Sequence, residues 1–191
     1  YWSSNHPSIA SITNNGVVTA ISQGVTNFYF TADNGCVSDP SAPVAVSAKP
    51  SIASEANANL CVNTTLKLTS STTGVWTSSN PSVATIANDG MISALNAGQV
   101  TFRIADANSG CLSENSQLFT VVGRPNISNL GANHVCIGNT TNLSPTTGGT
   151  WVSNDPTIAS ITNAGVVTGI MSGAATFSFT ETSTGCTSTG V

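Results

Sequence analysis

Five cysteines, two histidines and eight carboxylates are the side chains of this 191-residue chain best equipped for chemistry beyond hydrogen bonding. A hydroxyl or thiol nucleophile needs a base within reach, and the only imidazoles are His6 and His134. His6 stands directly before a proline, in a slot that holds Asn80 and Asp155 elsewhere in the chain. Three residue types in one slot fit a solvent-facing turn better than a catalytic base. No serine lies in a G-x-S-x-G elbow, and the carboxylates are scattered, not gathered as a glycosidase pair. The sequence therefore assigns no catalytic residue and no cofactor, and it reads as a non-enzyme. One acid does recur at corresponding places: Asp33 in TADNG, Asp106 in ADANSG and Glu181 in TETSTG. Its functional reading is a calcium site at the end of a domain. A solvated loop acid is the favoured reading, because one carboxylate offers calcium little charge. Asn63-Thr64-Thr65 and Asn139-Thr140-Thr141 match the N-glycosylation pattern, with plain asparagine turns preferred.

These recurrences come from a repeat, which outranks other signals when present. Residues 2–21 read WSSNHPSIASITNNGVVTAI, residues 76–95 read WTSSNPSVATIANDGMISAL, and residues 151–170 read WVSNDPTIASITNAGVVTGI. Trp2, Trp76 and Trp151 set periods of 74 and 75 residues. Pro7, Pro81 and Pro156 follow them, as do Gly16, Gly90 and Gly165, then Gly24, Gly98 and Gly173, and then Phe28, Phe102 and Phe177. A Gly-Cys pair closes each pattern at Cys36, Cys111 and Cys186. Lys49-Pro50 and Arg124-Pro125 open new units, which divides the chain into 1–48, 49–123 and 124–191. The first copy lacks its opening third, the second is whole, and the third lacks its final strand.

The repeat constrains the cysteines. Cys61–Cys111 and Cys136–Cys186 each span 50 residues, whereas Cys36–Cys61 and Cys111–Cys136 would span 25 and staple neighbouring copies. Either scheme leaves a cysteine over, so parity does not decide. Pairing within a copy is favoured because the alternative needs a longer reach, and it leaves Cys36 unpaired as an effect of where the chain is cut. Closing such a loop is worth about 4 kcal/mol in the chain-entropy model. Against it, Cys61 precedes its strand and Cys111 follows a glycine in a loop. Those positions could lie at opposite ends of a sandwich and forbid the bond. Five free thiols rank lower, and a zinc site lower still, since no C-x-x-C spacing occurs and His134 near Cys136 has no counterpart near Cys61.

The elements that must position these groups are strands. Ser (27), Thr (27) and Asn (20) make up 74 of 191 residues, while only 6% are charged. That mixture suits half-buried pleats and tight corners. Turn signals every eight to twelve residues predict, in the second copy, strands at 51–54, 65–70, 75–78, 83–87, 91–95, 100–105 and 117–122. Asn88-Asp89-Gly90 marks a hairpin. The expected fold is all-β: tandem immunoglobulin-like β-sandwiches of about 75 residues, with Trp2, Trp76, Trp151, Phe28, Phe102 and Phe177 in the cores. Lys49, Lys67, Arg103 and Arg124 are too few to neutralise a phosphate backbone, so nucleic acid is not an expected partner. No apolar run reaches membrane-span length and no signal peptide is present. Opening on Tyr1 instead of Met, the chain reads as a mature or excised piece.

The pattern W-x-S-x-x-P-x-[IV]-A-x-I-x-x-x-G-x-[IV]-[ST]-[AG]-[IL]-x-x-G, present in all three copies, resembles the bacterial immunoglobulin-like group 2 domain. The variant with an early Cys and a late Gly-Cys is similar to repeats of very large Bacteroidota surface proteins, the SprB-type adhesins of gliding cells among them. The resemblance implies a non-catalytic stalk or adhesin on the outer surface, exported by the type IX route. Its implied partners are extracellular surfaces or polysaccharides, met by other parts of the chain, and the outer-membrane secretion and gliding machinery. The alternative is a spacer or carbohydrate-contacting module attached to a secreted enzyme, for which Tyr1, Tyr29 and Phe119 are the aromatics left to form a binding strip.

Overall fold

The computed structural model describes residues 1–53 and 58–190, and every regular element in them is a β-strand. The first copy supplies β1 (Trp2–Ser4), β2 (Ala10–Ile12), β3 (Val18–Ala20), β4 (Gly24–Thr26), β5 (Phe28–Phe30) and β6 (Val44–Val46). The second supplies β7 (Asn59–Cys61), β8 (Thr65–Lys67), β9 (Gly74–Ser78), β10 (Ala84–Ile86), β11 (Met91–Ala94), β12 (Gly98–Val100), β13 (Phe102–Asp106) and β14 (Phe119–Val122). The third supplies β15 (Ser128–Asn129), β16 (Thr140–Ser144), β17 (Gly149–Ser153), β18 (Ala159–Ile161), β19 (Val166–Gly169) and β20 (Phe177–Glu181). These strands form two compact units. The first comprises 1–53, 70–75 and 103–114, and the second takes the remaining described residues.

In the first unit β1 pairs with β5, placing Trp2 opposite Phe30, while β2–β3 and β4–β6 form two further antiparallel pairs. Ala10 and Phe28 are buried. Trp2, expected in the core, is only half-buried and meets Phe30 edge-on at 5.3 Å.

The second unit contains sandwiches built from small sheets. In the second copy the orders are β10-β11-β8 and β12-β14-β7, with β7 parallel to β14. The segment expected as one strand over 100–105 is two. The chain leaves β12 at Val100 and, after Thr101, enters β13, which joins β9. Alternation continues through the change of sheet, and Val100 and Phe102 are both buried, each at most 1% exposed. Trp76 is buried as expected. Phe119, reserved above for a surface strip, is instead wholly buried, with its ring 5.7 Å from that of Phe102.

The third copy forms the sheets β15-β16-β19-β18 and β17-β20 around Leu143, Trp151, Ala159, Val167 and Phe179. Trp151 donates its indole N–H to the Pro145 carbonyl at 2.9 Å, which lets the ring be buried without an orphaned donor. Phe177 packs on this core but remains partly buried, and Phe179 takes the centre.

One expected strand took another form. Of the strand expected at 51–54, Ile52 makes an isolated bridge to Ser70, and position 54 lies outside the described residues. The hairpin at Gly90 closes as expected, with φ of 85° and its N–H on the Ala87 carbonyl. A Cβ on Gly90 would also collide with the Leu68 carbonyl oxygen, so glycine is required there twice over.

Candidate functional site

The late cysteines are positioned by a device the sequence reading missed. Two residues after each stands a serine: Ser38 after Cys36, Ser113 after Cys111 and Ser188 after Cys186. The Ser113 N–H donates to the Ile104 carbonyl at 2.9 Å, and the Ile104 N–H returns a bond to Ser113 Oγ at 3.1 Å. Ser38 makes the same exchange with Phe30, and Ser188 with Phe179. In an ordinary antiparallel ladder the returned bond goes to a carbonyl. Here a hydroxyl takes that role, and in Ser38 and Ser113 it donates onward to the next carbonyl. The carbonyl of each late cysteine is fixed equally: it accepts from Ala32 N–H for Cys36, Asp106 N–H for Cys111 and Glu181 N–H for Cys186.

The early cysteines share a second device. The Cys61 carbonyl accepts from Thr64 N–H and that of Cys136 from Asn139 N–H. In that turn Asn63 has a φ of 64° and its counterpart Gly138 one of 84°. The left-handed conformation, which asparagine tolerates, accounts for the asparagine there without a glycan.

Within the second unit Cys61 is bonded to Cys186, 125 residues away, with a Cα–Cα separation of 5.6 Å. Cys36, Cys111 and Cys136 are free thiols. This corrects the expected pairings Cys61–Cys111 and Cys136–Cys186, and the 25-residue alternatives are equally absent. The reason lies in β7. Cys61 does not precede its strand but closes β7, opposite Val122 at the end of β14. Two residues later the chain enters the third copy, so β7 delivers Cys61 to the exit of its own copy. Cys111 is tied into the Asp106 loop instead. Arg124, the first residue of the third copy, seals the junction. Its Nε donates to the Val62 carbonyl and its Nη1 to the Thr187 carbonyl, both at 3.0 Å, next to the two bonded cysteines. The counterpart of Arg124 in the second copy, Lys49, makes an exposed ion pair with Glu114 at 2.6 Å and draws the Glu114 carboxyl below its usual range.

Two of the recurrent acids, Asp106 and Glu181, act as loop braces. Asp106 Oδ1 accepts from Ser109 N–H at 2.7 Å, Ser109 Oγ at 2.8 Å and Asn108 N–H at 3.1 Å. These bonds, the Ser109 amide first, hold its carboxyl below the ordinary value. Glu181 accepts from Thr184 Oγ1, while Asp33 lies in an exposed stretch where Asn34 caps Cys36 N–H. Among the described residues no three His, Cys, Asp or Glu side chains gather as a metal-holding group. The turn holding His6, Asn80 and Asp155 is one backbone design, each carbonyl accepting from the N–H three residues on. Asp155 also accepts from Thr157, which lowers its carboxyl pKa. His134 Nδ1 meets Asn133 Oδ1 at 3.3 Å.

A groove of about 340 Å³ opens in the third copy, lined by Leu143, Val167 and Phe177 together with Asn129, His134 and Thr141. In the second copy the counterpart of Ala175, Val100, lies in β12 and pairs with β14, and Phe119 fills the space beside Phe102.

Residues 40–110 match the family model of the bacterial Ig-like domain (group 2). No curated protein matches the chain. Among solved structures the chain is similar to surface layer protein SbsC, domains 1–6, at 16% identity, covering 93% of this chain and 29% of that one with a TM-score of 0.27. It is also similar to the S-layer protein rSbsC(31–844), at 14% identity, covering 95% and 29% with a TM-score of 0.28. A third is the Drosophila OTK extracellular domains 3–5, at 10% identity, covering 93% and 74% with a TM-score of 0.31. The chain thus spans 29% of the length of the first two. No helix among the described residues is long and apolar enough to cross a membrane.

Proposed function

We propose that the chain is a non-catalytic spacer segment of a very large secreted surface protein, and at the finest level a piece of an SprB-type gliding adhesin. Its domain boundaries on this reading fall at 48/49 and 123/124. The observation that carries the reading is the junction itself. Two of the five cysteines, Cys61 and Cys186, are engaged together with Arg124 in joining one copy to the next. A bridge of this kind belongs in an oxidising compartment, and a repeat that folds on its own core adds reach without adding chemistry. The match of residues 40–110 to a bacterial Ig-like family supports the same assignment. Ligands at an extracellular surface, the type IX route and the gliding machinery belong to the proposal and would involve regions beyond this segment.

The test is antibody labelling of live, unpermeabilised source cells with serum raised against the chain. Signal on the outer surface, travelling along the cell, is the expected result. Signal confined to the medium and co-purifying with a hydrolase would overturn it in favour of a module accompanying a secreted enzyme. That second reading draws on Tyr1 and Phe30, both exposed beside Trp2 in the first copy, and it requires polysaccharide binding that substituting those two residues abolishes.

A further inference from the structure

We propose that the Cys61–Cys186 bond is one instance of a periodic connector. In this rule the early cysteine of each copy bonds the late cysteine of the copy that follows it. The separation of 125 residues is the 50 that part early from late within a copy plus one period of 75. The rule rests on equivalence of geometry, not on spacing alone. Cys136 occupies the same carbonyl-anchored turn as Cys61, including the bond from position 63 or 138 to the carbonyl of Ala94 or Gly169. Cys36 and Cys111 are held by the same serine exchange and the same carbonyl bond as Cys186. The three thiols left free are the three to which the rule gives no partner inside residues 1–191. Cys136 is a half-connector for a following copy, and Cys36 and Cys111 are half-connectors for preceding ones.

The partner of Cys136 is therefore the Gly-Cys cysteine of another copy of this repeat, seated at the 123/124 type of junction. The bond forms by thiol–disulfide exchange. One thiolate attacks a small-molecule disulfide such as oxidised glutathione and releases one glutathione thiol. The second thiolate then displaces the other from the mixed disulfide. The two protons lost by the cysteines are taken up by the two departing glutathione thiolates, so the glutathione disulfide is reduced to two thiols. The rule does not depend on the surface-spacer reading. It needs only an oxidising medium.

The experiment lengthens the full chain by one period. Val191 stands 75 residues after Ser116, so residues 117–191 are appended directly after it. The added copy carries Thr187→Leu, the residue found at that place as Leu112, which marks its Gly-Cys peptide by mass, and Ile137→Val, the residue found at that place as Val62, which tells its early cysteine peptide from that of Cys136. Both chains are refolded with glutathione, alkylated and mapped under non-reducing conditions by mass spectrometry. The original chain should show Cys61–Cys186 and three free thiols. The lengthened chain, with seven cysteines from five plus two, should keep three free thiols and gain a bond from Cys136 to the marked peptide. Five free thiols beside an intact Cys61–Cys186 bond would overturn the rule, since that bond reports that the rest of the molecule has folded. A Cys111–Cys136 bond, or one within a copy, would overturn it as well. Cys61→Ser in the original chain gives an independent reading: Cys186 should stay free, and its transfer to Cys136 would contradict the connector. None of these outcomes bears on where the protein resides in the cell, so this failure and that of the surface reading are separable.

Discussion

Ser113 does with one hydroxyl what a neighbouring strand does with a peptide group, and its loss should be felt accordingly. Ser113→Ala leaves the N–H of fully buried Ile104 without its acceptor, at a cost of about 1–3 kcal/mol. Urea unfolding should show it, and a change no larger than that of an exposed serine such as Ser82 would refute the role. Asp106 is a different case, because its contribution depends on charge. Bonds from Ser109 and Asn108 hold its folded pKa below the ordinary value. The stabilisation is therefore present above the ordinary carboxylate range and lost as pH falls through the depressed value. The melting-temperature gap between wild type and Asp106→Ala should be widest near neutrality and close below about pH 4. A gap that is constant down to strongly acid pH would mean the bonds are not to a carboxylate. Among the glycines, both Gly90 and Gly110 have positive φ, but only Gly90 faces a backbone carbonyl at its missing Cβ. Gly90→Ala should destabilise more than Gly110→Ala.

At the scale of elements β14 is the strand on which most depends, because it pairs with β12 on one side and β7 on the other. Phe119→Ala should cost about 3–5 kcal/mol and loosen β7 with it. Faster amide exchange at Leu60 would show the coupling, and protection unchanged there would argue against it. Much of this layer was legible in the sequence. Val75–Ser78, Val83–Ala87 and Met91–Leu95 announce β9, β10 and β11 through alternation and bounding turn residues. β7 was not legible, because Asn59–Cys61 is three residues long and becomes a strand only by lying beside β14, some 60 residues later. The break at Thr101 was hidden for the opposite reason: alternation runs unbroken through a change of sheet. The serine exchange left a visible trace, C-x-S in all three copies, but a hydroxyl standing in for a carbonyl has no periodicity that would single it out among 27 serines.

For the molecule as a whole, the cysteine pairing shows why sequence span is a poor guide to reach. The scheme favoured on span closed 50 residues, and the fold instead closes 125 because β7 carries Cys61 to Cys186 while Cys111 stays a free thiol in the Asp106 loop. In the chain-entropy model a loop of that length is worth about 5 kcal/mol, an upper figure when the two joined copies each have their own core. Such copies can unfold separately, so the bridge should act less on either copy alone than on the coupling between them. Arg124 adds two hydrogen bonds at the same junction, which survive reduction but are individually modest. Calorimetry of the oxidised chain should therefore show the second and third copies melting in closely linked transitions. Cys61→Ser, or reduction with dithiothreitol, should pull those transitions apart and lower the less stable one, whereas Arg124→Ala with the bridge intact should shift them only slightly. If Cys61→Ser leaves the thermogram unchanged while Arg124→Ala divides it, the hydrogen bonds and not the disulfide hold the copies together. The covalent bond would then be only a passenger at the junction.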